Sequence, residues 1–203
     1  MRQQILRLTQ TAMLLAIAAL SQTYLTPLLG GPGNPVSQLT VGSIVNFCLV
    51  LATLACGFTG GAAIAFGTPF IAFLTGRIQW PQQIIILALG NAALVFVFWL
   101  ICQKKIFGKN SNEIFNWAAA SIIGAFAKFT VLWLGMTRIF IQFVLTPALS
   151  ATEPQRLVNM TSMITLTFSW PQLATALIGC ILAGAVYKVL KPVILNKTIT
   201  EKQ

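Results

Sequence analysis

Apolar runs alternate with short polar or glycine- and proline-rich breaks along nearly the whole chain. Six runs, roughly 17–23 residues each, approach the ~20 residues a helix needs to cross the hydrocarbon core of a bilayer. They cover 10–29, 41–57, 61–76, 82–103, 115–136 and 168–190. The pattern predicts an all-α membrane protein, a six-transmembrane-helix bundle forming one integral domain over 1–203. The breaks are GGPGNPVSQLT (30–40), the turn GFTGG, GRIQWPQ (76–82), QKKIFGKNSNE (103–113) and a long connection over 137–167. The last is partly apolar but interrupted by Pro147 and Pro154. Its apolar stretches are too short to span, so it is expected to form one or two interfacial helices that act as a lid. The N-terminal MRQQILRL and its apolar run resemble a signal peptide, but the run continues to Leu29 without a clear small-x-small cleavage site. It reads as a retained first span.

Composition strengthens the membrane reading. Hydrophobic residues make up 57% of the chain and charged residues 8%, with a mean hydropathy of +0.83. Soluble domains average about a quarter charged residues. The net charge of +10 does not indicate nucleic-acid binding, because the basic residues are dispersed at segment ends rather than gathered on one face. Their distribution gives an orientation instead. Arg2, Arg7, Lys104, Lys105, Lys109, Lys188, Lys191, Lys197 and Lys202 fall on one side, and only Arg77, Arg138 and Arg156 on the other. The side richer in Lys and Arg is cytoplasmic. Both termini are then inside, and 30–40, 76–82 and 137–167 face outward around an outward-facing ligand pocket. Cys48, Cys56, Cys102 and Cys180 sit in or beside apolar segments without CxxC spacing, which fits packing rather than a metal site or disulfide framework.

One charge breaks the pattern. Lys128 lies inside FNWAAASIIGAFAKFTVLWLGM (115–136), where a cation costs at least a few kcal/mol unless something satisfies it. The chain has no Asp or His, and its acids, Glu113, Glu153 and Glu201, lie in loops or the tail. A ligand is therefore the expected partner, although helix-end carbonyls, ordered water or snorkelling would also serve. Lys128 shares a face with Ser121, Gly124 and Gly135, while Phe126, Phe129 and Leu132 are expected to point elsewhere. Counting ~1.5 Å per residue from the outer ends, Lys128 lies about 12 Å and Asn91 about 13 Å deep. Asn91 is either a pocket group or an interhelical hydrogen-bond residue. Trp170 and Gln172, at the start of the sixth span, sit above that level, with Gln172, Ala176, Gly179 and Ala183 forming a small-residue packing face. Trp133 and Trp170 are candidates for ligand contact, although interfacial anchoring is the default for tryptophans at span ends. Asn34 and Gln38 in the first outer loop, Arg77 in the second and Arg138 in the third complete the candidate rim.

The absences exclude much. No GxxxxGK[ST] P-loop is present, and the lack of His, Asp and intramembrane Glu removes a Ser-His hydrolase, an HExxH zinc site and a carboxylate proton relay. What remains is a membrane protein with a pocket and no energy source of its own. A self-sufficient transporter or channel and a ligand-free assembly subunit are the alternatives.

Two local patterns then point to a family. TAMLLAIAAL carries Ala12-x-x-x-Ala16, and the fifth and sixth spans read GAFAKFTVLWLG and WPQLATALIGC. With six spans, both ends inside and long first and fifth loops, the chain resembles the substrate-binding (S) components of energy-coupling factor (ECF) transporters, which take up vitamins in prokaryotes. Cys180 stands where the family phrase has a second glycine. The resemblance implies a high-affinity binding subunit in a prokaryotic cell membrane that needs no cofactor itself. It implies partners that use ATP, namely a transmembrane coupling subunit and two ATPases, with Ala12 and Ala16 as the docking surface. It also implies a vitamin captured under the first, third and fifth loops. The unpaired lysine favours a ligand with a carboxylate, phosphate or strong carbonyl acceptor. Pantothenate, biotin or niacin would satisfy it, and so would a flavin or a corrinoid amide, so the lysine does not decide among them; a carboxylate-bearing vitamin such as pantothenate is the expectation.

Overall fold

Two of the helix starts are written in short polar signals. Asn34 precedes Pro35, and its Oδ1 accepts a hydrogen bond from the Val36 N–H at 2.9 Å. Asn112 caps the Ile114 N–H in the same way, also at 2.9 Å. Each side chain satisfies one of the backbone donors that a helix start leaves open. Gly57 makes a single-residue connection between two helices at φ +91°, a backbone region that a side chain would strain.

The computed structural model describes the backbone of residues 2–108 and 111–200, and the side chains of 3–108 and 111–190. Arg2, Lys109, Lys191, Lys197, Glu201 and Lys202, part of the charge pattern above, lie outside the described side chains. The described chain is all-helical and contains no strand. We number its helices α1 (Arg2–Leu28), α2 (Pro35–Cys56), α3 (Phe58–Leu74), α4 (Gln82–Gln103), α5 (Glu113–Leu149), α6 (Pro154–Thr167) and α7 (Trp170–Thr200). By length and apolarity α1, α2, α4, α5 and the α6–α7 segment each suffice to cross a membrane. α3 has 17 residues, or about 25 Å at the α-helical rise.

Inside the bundle α2 is the hub, packed most extensively on α7 and also on α1, α3 and α4, while α5 packs on α4 and α7. One core cluster joins Val41, Leu49, Ile64, Leu94 and Phe98. A second gathers Leu132, Met136, Phe140, Leu145, Ile164 and Phe168 where α5 and α6 meet. Outward faces carry exposed Ile85, Leu89 and Phe96 on α4 and Ile122, Ile123 and Phe126 on α5. That apolar exterior is what a helix surrounded by lipid presents.

Several boundaries differ from the sequence expectation. The first helix begins at Arg2 rather than 10. Pro35 starts α2, so Gln38 stands on a helix and not in a loop. The region 137–167 is not all lid: α5 continues through a π-helical stretch, Leu134–Leu145, to Leu149, and only α6 is a separate short helix. Pro147 fails to stop α5 for a physical reason. A helical proline lacks an N–H and clashes with the preceding turn, and the wider π turn ahead of it relieves both. α1 does the same, with π-helical Ser21–Leu25 ahead of Pro27. Both π stretches run into the same tripeptide, Leu25-Thr26-Pro27 and Leu145-Thr146-Pro147.

Candidate functional site

Lys128 is 4% exposed. Its Nζ donates to Asn46 Oδ1 on α2 and to Asn91 Oδ1 on α4, both at 2.6 Å. Each asparagine passes the interaction on. Asn46 Nδ2 donates to Thr175 Oγ1 on α7 and Asn91 Nδ2 to Thr68 Oγ1 on α3, both at 3.3 Å. The threonines donate to their own helices, Thr68 to the Ile64 carbonyl at 2.9 Å and Thr175 to the Gln172 carbonyl at 3.1 Å. One side-chain network thus crosses α3, α4, α5, α2 and α7.

Close packing makes this contact possible. A Cβ on Gly179 of α7 would lie 2.5 Å from Asn46 Cβ and 2.8 Å from the Phe47 nitrogen. Only glycine lets α7 approach the α2 backbone so closely that Thr175 reaches Asn46. Ala176 and Ala183, on the same face, are fully buried.

The network holds the ammonium without neutralising it. Both acceptors are neutral amides, and an ammonium has three donors. The nearest acid along α5, Glu113, is fifteen residues away, about 22 Å at the helical rise. Glu153 pairs with Arg156 at 3.0 Å on the surface. The positive charge therefore faces what lies next to it, which is a cavity of about 260 Å³.

Lys128, Asn46, Asn91 and Thr68 form one end of this cavity, and Val45, Leu87, Leu132, Ile164 and Phe168 form apolar walls from both core clusters. Arg77, Trp80, Gln83 and Gly33 line its other end. Gln83 and Asn91 are eight residues apart on α4, so the two ends are separated by about 12 Å along the helix. Among the described residues, no Asp or Glu lines the wall. Arg77 makes no side-chain hydrogen bond or ion pair, and burial pushes its guanidinium below the usual arginine value.

Of the residues selected from sequence, Lys128, Asn91, Gln38, Gln172 and Arg77 line the cavity. Gln38 and Gln172 both donate to the Thr167 carbonyl, at 2.5 and 3.2 Å, and so hold the break between α6 and α7. Four others stand apart. Asn34 is used as the α2 cap. Trp170 is 64% exposed. Trp133 and Arg138 pair with each other, guanidinium carbon 5.8 Å from the ring centre, and neither reaches the cavity. Trp133 is five residues beyond Lys128, about 140° around the helix, and the π-helical stretch shifts the phase of Arg138 further. Leu132 was expected to point elsewhere but lines the cavity, because position i+4 returns to the face of Lys128. Ala12 and Ala16 lie exposed on α1, covered by none of the described residues. Asn46, Thr68, Thr175 and Trp80 were not anticipated. Asn46 carried the same signal as Asn91, an amide within an apolar span. The threonines carried none, since a helical Thr can satisfy itself on its own backbone.

A family model described as ECF transporter, substrate-specific component, matches residues 6–191. Comparisons with curated proteins and with solved structures give no match. The match spans nearly the whole bundle, including every helix that contributes to the cavity. The chain therefore belongs to the substrate-specific components of ECF transporters, and is a multi-pass membrane subunit of a transporter rather than an enzyme.

Proposed function

We propose that this subunit captures a carboxylate-bearing vitamin, with pantothenate as the leading example, in the cavity beside Lys128. The observation that carries this reading is an ammonium held by two neutral amides, with no carboxylate on the cavity wall. A buried charge without a counter-charge is costly. An anionic ligand removes that cost, and the apolar walls add burial of its carbon skeleton.

In this reading both termini are cytoplasmic, the Arg77 end of the cavity opens outward, and the host is a prokaryotic cell membrane. Loop 29–34 and α6 close the mouth, where a Cβ on Gly33 would lie 2.4 Å from the Met163 methyl. Ala12 and Ala16 dock on the coupling subunit, since small side chains allow close, reversible helix contact. Two ATPases then supply the driving force that this chain lacks. Mass spectrometry of small molecules released from the purified protein tests the substrate class. An organic acid is the expected result. A co-purified cation or neutral hydrocarbon would overturn it.

A further inference from the structure

Two sets stand out among the polar groups around the cavity. Asn46, Asn91, Thr68, Gln38 and Gln172 all spend their side chains on protein partners. Gln22 and Gln83 do not. Each is 6% exposed, each lines the cavity, and neither side-chain amide makes a hydrogen bond within the protein. Gln22 Oε1 is enclosed with no partner, so an occupant of the cavity meets that amide through its nitrogen. Buried polar groups are overwhelmingly hydrogen-bonded, and leaving one unmade costs free energy. Two such amides on one small cavity are therefore a record of what its occupant supplies.

Gln83 stands apart from the Lys128 end of the cavity. Gln83 lies in the first turn of α4, eight residues from Asn91. Gln22 lies in the π-helical turn of α1, where the widened helix carries it into the buried side of the bundle. A primary amide both donates and accepts, so its complement is a group that does the same.

We propose that Gln22 and Gln83 are specificity-determining residues, and that they select a substrate carrying an amide-like or ureido donor–acceptor group at a distance from its anionic end. The inference rests on the reading of this cavity as the substrate site and narrows the substrate from an acid to an amide-bearing acid. A site built to hydrogen-bond a polar group rejects an analogue lacking it far more strongly than it senses an extra methylene, because its own buried groups are then left unpaired.

The test uses four acids on the full-length protein in detergent, read by quenching of tryptophan fluorescence, since Trp80 lines the cavity. Biotin and lipoate share a pentanoate tail but differ in a ureido group against a dithiolane. Pantothenate has an amide, and nicotinate has none. The amide- or ureido-bearing acids should include the tightest ligand, at least about tenfold tighter than either donor-poor acid. Gln22→Met and Gln83→Met should each cut that preference severalfold, without lowering the melting temperature of the ligand-free protein. Lys128→Met should weaken all acids together. If lipoate or nicotinate binds as tightly, or if both glutamine variants keep the preference, the proposal fails. A fall in ligand-free melting temperature in both variants also overturns it, because the amides would then be structural. If Lys128→Met changes nothing while the glutamine variants erase the preference, the anion-anchor reading fails and the glutamine assignment stands. If none of the four acids binds, both fail.

Discussion

At the residue scale, the central fact is that Lys128 is both satisfied and uncompensated. Asn46 and Asn91 accept its N–H groups at 2.6 Å each, and hydrogen bonds to a charged group contribute about 1.5–3 kcal/mol. Asn46→Leu is therefore expected to destabilise the ligand-free protein by about 1.5–3 kcal/mol, read by thermal unfolding in detergent. An unchanged melting temperature would show that the ammonium had found another acceptor. Saturating ligand should recover part of the loss, because the ligand supplies the acceptor that Asn46 no longer does. The lysine was legible in the sequence because one charge in an apolar run of spanning length has few explanations. Its partners were half legible. Asn91 followed from matching depths along two helices, and Asn46 is the same kind of residue on a helix whose start was placed six residues too late. Trp133 and Arg138 went astray because their position at the span end said nothing about angle around the helix.

At the element scale, the site depends on how closely α7 approaches α2. Gly179 has the Phe47 backbone nitrogen 2.8 Å and the Ser43 carbonyl 2.9 Å from where a Cβ would sit. Backbone atoms cannot yield as a flexible side chain would. Gly179→Leu should force the helices apart and cost at least about 1–3 kcal/mol, and it should separate Thr175 from Asn46. The expected outcome is a lower melting temperature together with weakened ligand binding. Loss of stability with native affinity would show that the α2–α7 contact does not position the site. The small-residue face of α7 was readable from its four-residue spacing. The extension of α5 was not, because Pro147 and Pro154 look alike in sequence. Pro154 begins α6, whereas Pro147 is absorbed by the π-helical turns before it.

At the scale of the whole molecule, the proposed function separates capture from coupling. The cavity is lined by residues of all seven helices, while Ala12 and Ala16 lie exposed on α1 beside exposed Met13 and Ile17. Replacing both alanines with leucine should leave ligand affinity of the isolated protein unchanged, yet abolish uptake in cells that also express the coupling subunit and ATPases. Normal uptake by that variant would remove α1 from the docking surface. Five helices long and apolar enough to span, and the shorter apolar α3, were legible because lipid imposes a length on every span. The enclosure of the cavity was not, since it depends on α6 folding back over α5 through Ile164 and Phe168, a contact that no local pattern encodes. The claim that unites these levels is that Lys128 anchors the acid group of a captured solute. Equilibrium binding of the acid that co-purifies with the protein, compared between the native chain and Lys128→Met, tests it most directly. Loss of a charge-assisted contact of about 1.5–3 kcal/mol predicts affinity weakened by roughly ten- to hundredfold or more. Equal affinity in the two proteins would contradict the account.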